Sequence, residues 1–192
     1  LSRADRLLQA AIAGSELRGL VLELLPPLFE EIGRRWEIGT FHVAHEHAAS
    51  ALLRNALGGI QRTHRGDEGK GTIVATTLSG ELHEFGALLV SLLASAHGWQ
   101  ATYLGPNLPS EEIRLAASRV RARAVLVSTV CAERPASRRH YVDQLQQLRD
   151  ALPAACEVLV GGALAPHLRP LPEGVSMLGS LEALERWLTP LR

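Results

Sequence analysis

The first third of the chain carries apolar residues at helical spacing. Its opening segment has Leu7, Leu8, Ala11 and Ile12 three and four positions apart. Gly14–Ser15 then predicts a helix end followed by an N-cap. A second apolar run is predicted to break at Pro26–Pro27, and a third helix extends through Trp36. Thr40 is a suitable cap for a long helix from His42 to about Arg62. The pattern predicts a small helical bundle.

The pattern of apolar and polar residues changes after the polar, Gly-rich stretch Thr63–Gly71, which is typical of a linker. Short β-branched runs follow at Thr72–Thr77, Ala101–Leu104, Ala124–Ser128, Val158–Val160 and Val175–Leu178. Amphipathic segments alternate with them at Glu84–His97, Ser110–Arg121, Arg138–Leu152 and Leu181–Leu188. This alternation predicts an α/β domain with a doubly wound, Rossmann-like parallel sheet. We place the helical bundle at residues 1–66 and the α/β domain at 67–192.

Composition narrows the classes of function. Lys and Arg total 20, as do Asp and Glu, so the formal net charge is zero and direct nucleic-acid binding by this chain is not expected. Cys131 and Cys156 lie in separate apolar segments without metal-ligand spacing, which predicts buried free thiols in a reducing compartment. The longest apolar stretch, Ala87 to Ala96, is too short to span a bilayer. We therefore expect no membrane association and a cytoplasmic location.

The loop after the first predicted strand holds Glu81-x-His83-x-x-Gly86. It is neither a Walker loop nor a dinucleotide-binding turn, because the residues of both motifs are absent. In parallel sheets such loops face the ligand. A histidine that binds a metal usually donates its second N–H to a carboxylate, and Glu81 is near enough in sequence to accept it. The alternative is a polar loop in which His83 merely caps the next helix.

This six-residue pattern resembles the Asp-x-His-x-x-Gly signature of cobalamin-binding α/β domains, with Glu81 at the Asp position. Further elements of that family's signature follow in order. Ser128-Thr129-Val130 resembles its Ser-x-Leu, with Val130 as a departure; Gly161–Gly162 resembles its glycine pair; and Tyr103-Leu104-Gly105 through Pro109 resembles its second loop. The resemblance covers nearly all of residues 72–192.

The resemblance implies a bound corrinoid. In that family the benzimidazole tail leaves the cobalt and enters a slot lined by the Ser and Gly loops, and the histidine becomes the lower axial ligand. By analogy, His83 would bind cobalt, with Glu81, Gly86, Gly105, Ser128, Val130, Gly161 and Gly162 around the cofactor. Glycines suit a groove for a flat nucleotide tail.

The helical part carries a second resemblance. The segment from Trp36 to Glu46-His47 resembles the Trp-x9-Glu-His motif of the light-sensing cobalamin domains in CarH-type repressors. It implies that Trp36 packs on the adenosyl group of adenosylcobalamin, the preferred cofactor, and that Glu46 and His47 contact it or serve as upper ligands. Two departures stand out: Glu37 replaces the family's histidine after the tryptophan, and the bundle is shorter around Gly14–Ser15.

The function that the resemblance implies is a light-responsive sensory module and not an enzyme. Two alternatives stay open. One is a corrinoid carrier protein for methyl transfer, and the other is a mixed photoreceptor that binds a bilin such as biliverdin beside the cobalamin. The resemblance also leaves open a homo-oligomer or an output-domain partner. Because the sequence holds no helix-turn-helix, regulation of transcription would require such a partner.

Overall fold

A computed structural model describes residues 2–64, 70–130 and 135–189, with side chains from residue 138 onward in the last range. The chain divides into two compact units, Leu1–His64 and Arg65–Arg192. Residues 65–69 of the predicted linker and Cys131 lie outside the described residues.

The first unit is helical, as predicted. It contains α1 (Ser2–Ala13), α2 (Leu17–Gly19), a π-helical turn (Leu20–Leu24), α3 (Leu25–Glu37) and α4 (Val43–Thr63). Its buried core consists of Leu20, Val21, Leu25, Leu53, Ala56, Leu57 and Ile60. These residues come from the π-helical turn, the start of α3 and the second half of α4, so the core lies where these segments meet.

Three local predictions for this unit are wrong. The chain stays helical at the predicted break, Pro26–Pro27, because both prolines lie in the first turn of α3, where their missing N–H groups are tolerated; the sequence also favoured Pro27 for the first turn of a helix, and that part is confirmed. In the preceding π-helical turn the backbone hydrogen bonds span five residues instead of four, and the N–H of Leu25 donates to the carbonyl of Leu20. Glu16 rather than Ser15 is the N-cap of α2. His42 rather than Thr40 is the N-cap of α4.

The second unit is the predicted parallel α/β domain. Its strands are β1 (Thr72–Thr76), β2 (Gln100–Tyr103), β3 (Ala124–Ser128), β4 (Glu157–Gly161) and β5 (Val175–Met177), and all neighbours pair in parallel. Their order in the sheet is β2-β1-β3-β4-β5. Its helices are α5 (Phe85–Ala96), α6 (Ser110–Arg119), α7 (Pro135–Ala151), a short 3₁₀ turn (Ala165–His167) and α8 (Leu181–Leu188).

The helices cover both faces of this sheet. α6 packs against α7 on one face, and α5 packs against α8 on the other. Every residue of β3 is buried, which explains why that strand is continuously apolar rather than alternating. The core on the α6–α7 side is formed by alternate strand residues such as Val74, Val125 and Val158 together with Leu145 and Leu148. No described helix is long and apolar enough to cross a membrane.

The topology places the ligand-binding edge. The strand order reverses between β1 and β3, since β2 lies on one side of β1 and β3 on the other. Ligands of such sheets bind beyond the carboxyl ends of the strands, at this switch point. The loops after β1 and β3, which contain His83 and Ser128–Val130, both lie there.

Candidate functional site

Glu81 and His83 lie in direct contact on the loop between β1 and α5. His83 Nδ1 is 2.5 Å from Glu81 Oε1, and the backbone N–H of His83 donates to the same oxygen over 2.9 Å. The Glu81 side chain is only 1% exposed, whereas that of His83 is 59% exposed. A buried carboxylate therefore holds an imidazole that faces solvent. This is the arrangement that fixes the tautomer of a metal-binding histidine.

The second carboxylate oxygen of Glu81 joins two loops. Oε2 accepts from the backbone N–H of Val130, over 2.7 Å, in the loop after β3. Val130, one of the predicted cofactor-binding residues, is 37% exposed, and its backbone contacts the site through this hydrogen bond. The carboxylate is thus fixed by hydrogen bonds from two loops of the protein.

Two residues that the sequence did not single out hold the same loop. Gln144, on α7, accepts from the N–H of Ser79 and donates to the Ser79 carbonyl, at 3.0 and 3.1 Å. Asn107, after β2, accepts from the N–H of Gly80 over 2.8 Å. Gln144 lies 65 residues from Ser79 in the sequence, so no local pattern indicates the pair. The loop that presents His83 is anchored by α7 and by the loop after β2.

A pocket of about 370 Å³ opens at this edge of the sheet, between α5 and α8. Its lining includes Gly86, Ser128, Gly161, Gly162, Leu178 and Gly179. Four of the predicted cofactor-binding residues are therefore brought together around one concave, mostly apolar space. A larger cavity of about 520 Å³ lies at the opposite, amino edge beside Arg121 and Cys156, and it contains none of the predicted site residues.

Two of these glycines are required by close packing inside the protein. A Cβ at Gly86 would clash with Ser128 Oγ, and one at Gly162 would clash with the backbone of Thr129. Gly162 also has a φ of 97°, which disfavours other residues. These glycines let the loops after β3 and β4 and the start of α5 approach one another, so the pocket depends on them even where they do not touch a ligand.

Gly105 is the one predicted glycine that does not line the pocket. It follows β2, has a φ of 88°, and its carbonyl accepts from Thr76 Oγ1 over 2.7 Å. It lies on the other side of β1 from Ser128, since β2 and β3 flank that strand. Gly105 is therefore placed near the β1 loop rather than in the pocket.

The remaining predicted residues belong to the helical unit. Trp36 lies near the end of α3 and is 54% exposed. Glu46 and His47 lie in the first turns of α4, where His47 Nδ1 is 2.8 Å from Glu46 Oε2. Ser50 Oγ donates to the other oxygen of Glu46 over 2.7 Å. The end of α3 and the start of α4 thus present an exposed indole, an imidazole and a carboxylate on either side of the corner between these helices, residues 38–42.

That corner is stabilised by polar and ring contacts. Hydrogen bonds from Arg34 and Arg35 lower the pKa of the Glu31 carboxyl to about 2. The Arg35 guanidinium also lies 5.6 Å from the centroid of the Phe41 ring. These contacts fix the last turn of α3, on which Trp36 lies.

Cys156 is a buried free thiol, as the sequence predicted. Burial raises the pKa of this thiol, so its reactive thiolate form is disfavoured.

Comparison with known proteins identifies both units. Models described as a B12 binding domain match residues 2–60 and residues 71–171. The chain is 36% identical over 144 residues to the HTH-type transcriptional repressor CarH of Myxococcus xanthus, covering 74% of this chain and 46% of that protein. It is 26% identical over 140 residues to dimethylamine corrinoid protein 3 of Methanosarcina mazei, covering 70% of this chain and 81% of that protein.

A solved structure shares the fold. The monomethylamine corrinoid protein of Methanosarcina barkeri superposes with a TM-score of 0.70 at 18% identity, over 96% of this chain and 89% of that one. The chain spans about half the length of the repressor that it matches.

Proposed function

This chain belongs to the family of B12-binding domains, and from that premise we propose that it is a light-responsive cobalamin sensor with His83 as the lower ligand of cobalt. The observation that carries the proposal is the Glu81–His83 pair at the switch point of the sheet, beside a pocket lined by glycines. Both the ligand and the slot are supplied by the α/β unit. The helical unit carries Trp36 and Glu46, the residues whose role differs between a sensor and a carrier.

The donor set fits a corrinoid. With Nδ1 engaged by Glu81, His83 would bind cobalt through Nε2, and the buried carboxylate increases the basicity of the ring. The apolar pocket beside Ser128 and Gly161 suits a flat heteroaromatic group such as the benzimidazole tail. The same residues would bind any corrinoid that carries a tail.

The upper side of the cofactor is assigned to the helical unit. We assign Trp36 to the adenosyl group because an exposed indole offers a flat apolar wall to a purine, and Glu46 because its carboxylate can accept from ribose hydroxyls. A bound adenosylcobalamin supplies a Co–C bond that light cleaves. Trp36 and Glu46 would hold that group only while the bond is intact, so their side chains would lose these contacts after illumination and the helical unit could repack, which is the change a switch requires.

A corrinoid carrier for methyl transfer is the second candidate. The similarity to dimethylamine corrinoid protein 3 favours it, because that match covers most of the relative's length. A carrier needs the His83 loop and the pocket but no specific contacts to an adenosyl group. The two functions therefore differ in what Trp36 does.

Trp36→Ala is expected to remove a preference for adenosylcobalamin over methylcobalamin of about tenfold, since a lost aromatic contact of this kind corresponds to about 1–1.5 kcal/mol. Titrating both cobalamins in the dark, by absorbance, measures the preference. Leu7→Ala is the matched control, because Leu7 is an exposed apolar residue on α1 and not on either of the two helices that carry Trp36 and Glu46. Equal affinity of the wild-type protein for both cobalamins would contradict the sensor.

Illumination gives an independent readout. The wild-type protein loaded with adenosylcobalamin is expected to change its elution volume in size-exclusion chromatography after green light, and Trp36→Ala is expected to change less. No change on illumination, together with methyl transfer in the presence of a methyltransferase, would favour the carrier. A new red-shifted band on adding biliverdin would favour the mixed photoreceptor.

Glu81→Gln is expected to weaken cobalamin binding by about 10- to 100-fold, the usual effect of losing the partner that orients a metal-binding histidine. The substituted amide must place an N–H₂ against either His83 or the Val130 N–H, both of which donate to the carboxylate. Glu81→Asp is the matched variant, since it keeps the charge that the family signature carries. If Glu81→Gln binds cobalamin as tightly as the wild type does, His83 is not positioned by Glu81.

A further inference from the structure

Helices α5 and α8 pack side by side and begin at the same edge of the sheet. Gly86, Leu89 and Val90 of α5 line the pocket, and so do Leu181 and Leu184 of α8. The amino-terminal halves of the two helices are thus opposite walls of one pocket. The distance between these walls depends on how α8 is held against α5.

A polar pair joins the two helices at their far ends. His97, directly after α5, has Nε2 at 2.9 Å from Glu185 Oε1 on α8, and the two side chains are 19% and 18% exposed. The Nδ1 atom of the same ring is 3.3 Å from Thr189 Oγ1, directly after α8. Lys70 Nζ donates to the His97 carbonyl over 2.8 Å, which fixes the residue that carries the ring.

Apolar contacts at the same end hold α8 on the sheet independently of that pair. Leu188 is fully buried, and Trp99 Nε1 donates to its carbonyl over 3.0 Å. The rings of Trp99 and Trp187 lie 5.2 Å apart, and Trp187 Nε1 donates to Glu157 Oε2 over 3.1 Å. Loss of the His97–Glu185 pair therefore leaves the helix attached but removes one constraint on its position.

We propose that the His97–Glu185 pair is a positioning device for the pocket and determines how well a corrinoid with a nucleotide tail is bound. Glu185 directly follows Leu184 on a helix, so a displacement of Glu185 moves the pocket wall with it. This inference rests on the proposed assignment of the pocket to the tail. Neither residue touches the pocket, so both act through the position of α8.

The test compares two corrinoids with the same upper ligand, aquacobalamin and aquacobinamide, of which only the first carries the tail. His97→Ala and Glu185→Ala are each expected to weaken binding of aquacobalamin about fivefold and to leave aquacobinamide within about twofold of the wild type. The double variant is expected to lose no more than either single variant, because both remove the same contact. Dissociation constants from absorbance titrations and unfolding midpoints are measured for all three.

Two controls separate the possible failures. Leu148→Ala removes a fully buried side chain from the α7 side of the sheet, so it destabilises the unit but should leave the ratio of the two affinities unchanged. Gly179→Leu narrows the pocket directly and should lower the affinity for aquacobalamin alone. If Gly179→Leu changes the ratio and the His97 and Glu185 variants do not, the positioning role is wrong. If none of them changes it, the assignment of the pocket to the tail is wrong as well.

Discussion

His83→Ala is expected to weaken cobalamin binding by about 100-fold or more, because loss of a metal ligand exceeds the 10- to 100-fold effect of losing its hydrogen-bonding partner. The imidazole is 59% exposed, so its removal leaves the packing of the core unchanged, and the buried Glu81 carboxylate keeps its hydrogen bonds from the backbone N–H groups of His83 and Val130. The measurement is the dissociation constant of cobalamin together with its absorption spectrum, which reports the axial ligands.

His140→Ala is the matched control, since His140 is an exposed histidine on α7 outside the loop. Free imidazole added to His83→Ala should restore part of the wild-type spectrum if the ring acts as a ligand. A variant that keeps the wild-type spectrum and affinity would show that His83 does not bind cobalt and is only a polar residue of the loop between β1 and α5.

Gly179→Leu is expected to weaken binding of cobalamin by about 100-fold and to leave binding of cobinamide nearly unchanged. Gly179 lines the pocket of about 370 Å³, and a Cβ built there meets no protein atom within 4 Å. The first atom of the side chain therefore meets no protein atom, and the rest of the leucine would extend into space that the tail needs; overfilling a closely packed site typically costs about 1–3 kcal/mol, or up to about 100-fold in affinity.

The choice of Gly179 follows from the packing of the other glycines. A Cβ at Gly161 would lie 3.3 Å from the Leu178 carbonyl, and the clashes at Gly86 and Gly162 are closer still, so a leucine at any of these would disturb the fold as well as the pocket. Gly19→Leu is the matched control, because Gly19 also has no atom within 4 Å of its Cβ and lies in the helical unit. Equal losses for cobalamin and cobinamide in Gly179→Leu would argue against a slot for the tail.

Local sequence patterns predicted both ends of every strand of the second unit to within one residue. Buried strands such as Ala124–Ser128 are continuously apolar and bounded by polar residues, so their composition marks their ends. The helix starts of the first unit were less well predicted. There the caps are Glu16 and His42, residues with weak capping preference, and the π-helical turn at Leu20–Leu24 lets the chain pass the two prolines without a break.

The candidate ligand was also encoded locally. Glu81 and His83 are two residues apart and their hydrogen bond closes within a single loop, so the family signature that their spacing resembles lies in one short segment of the sequence. The residues that fix this pair are distant in sequence. Val130 lies 49 residues from Glu81, and no periodicity or motif connects a backbone N–H to a carboxylate at that separation.

The sequence by itself determined the order of helices and strands and the doubly wound sheet, because each depends on apolar periodicity along the chain. The choice of His83 as candidate cobalt ligand depended on the resemblance of its loop to the cobalamin-binding signature. Only the tertiary structure decided which glycines surround the pocket and which serve close packing, and that α8 forms one of its walls. Those properties arise where β3, β4, α5 and α8 meet, and contacts between elements so far apart in the chain are set by the packing of the whole unit.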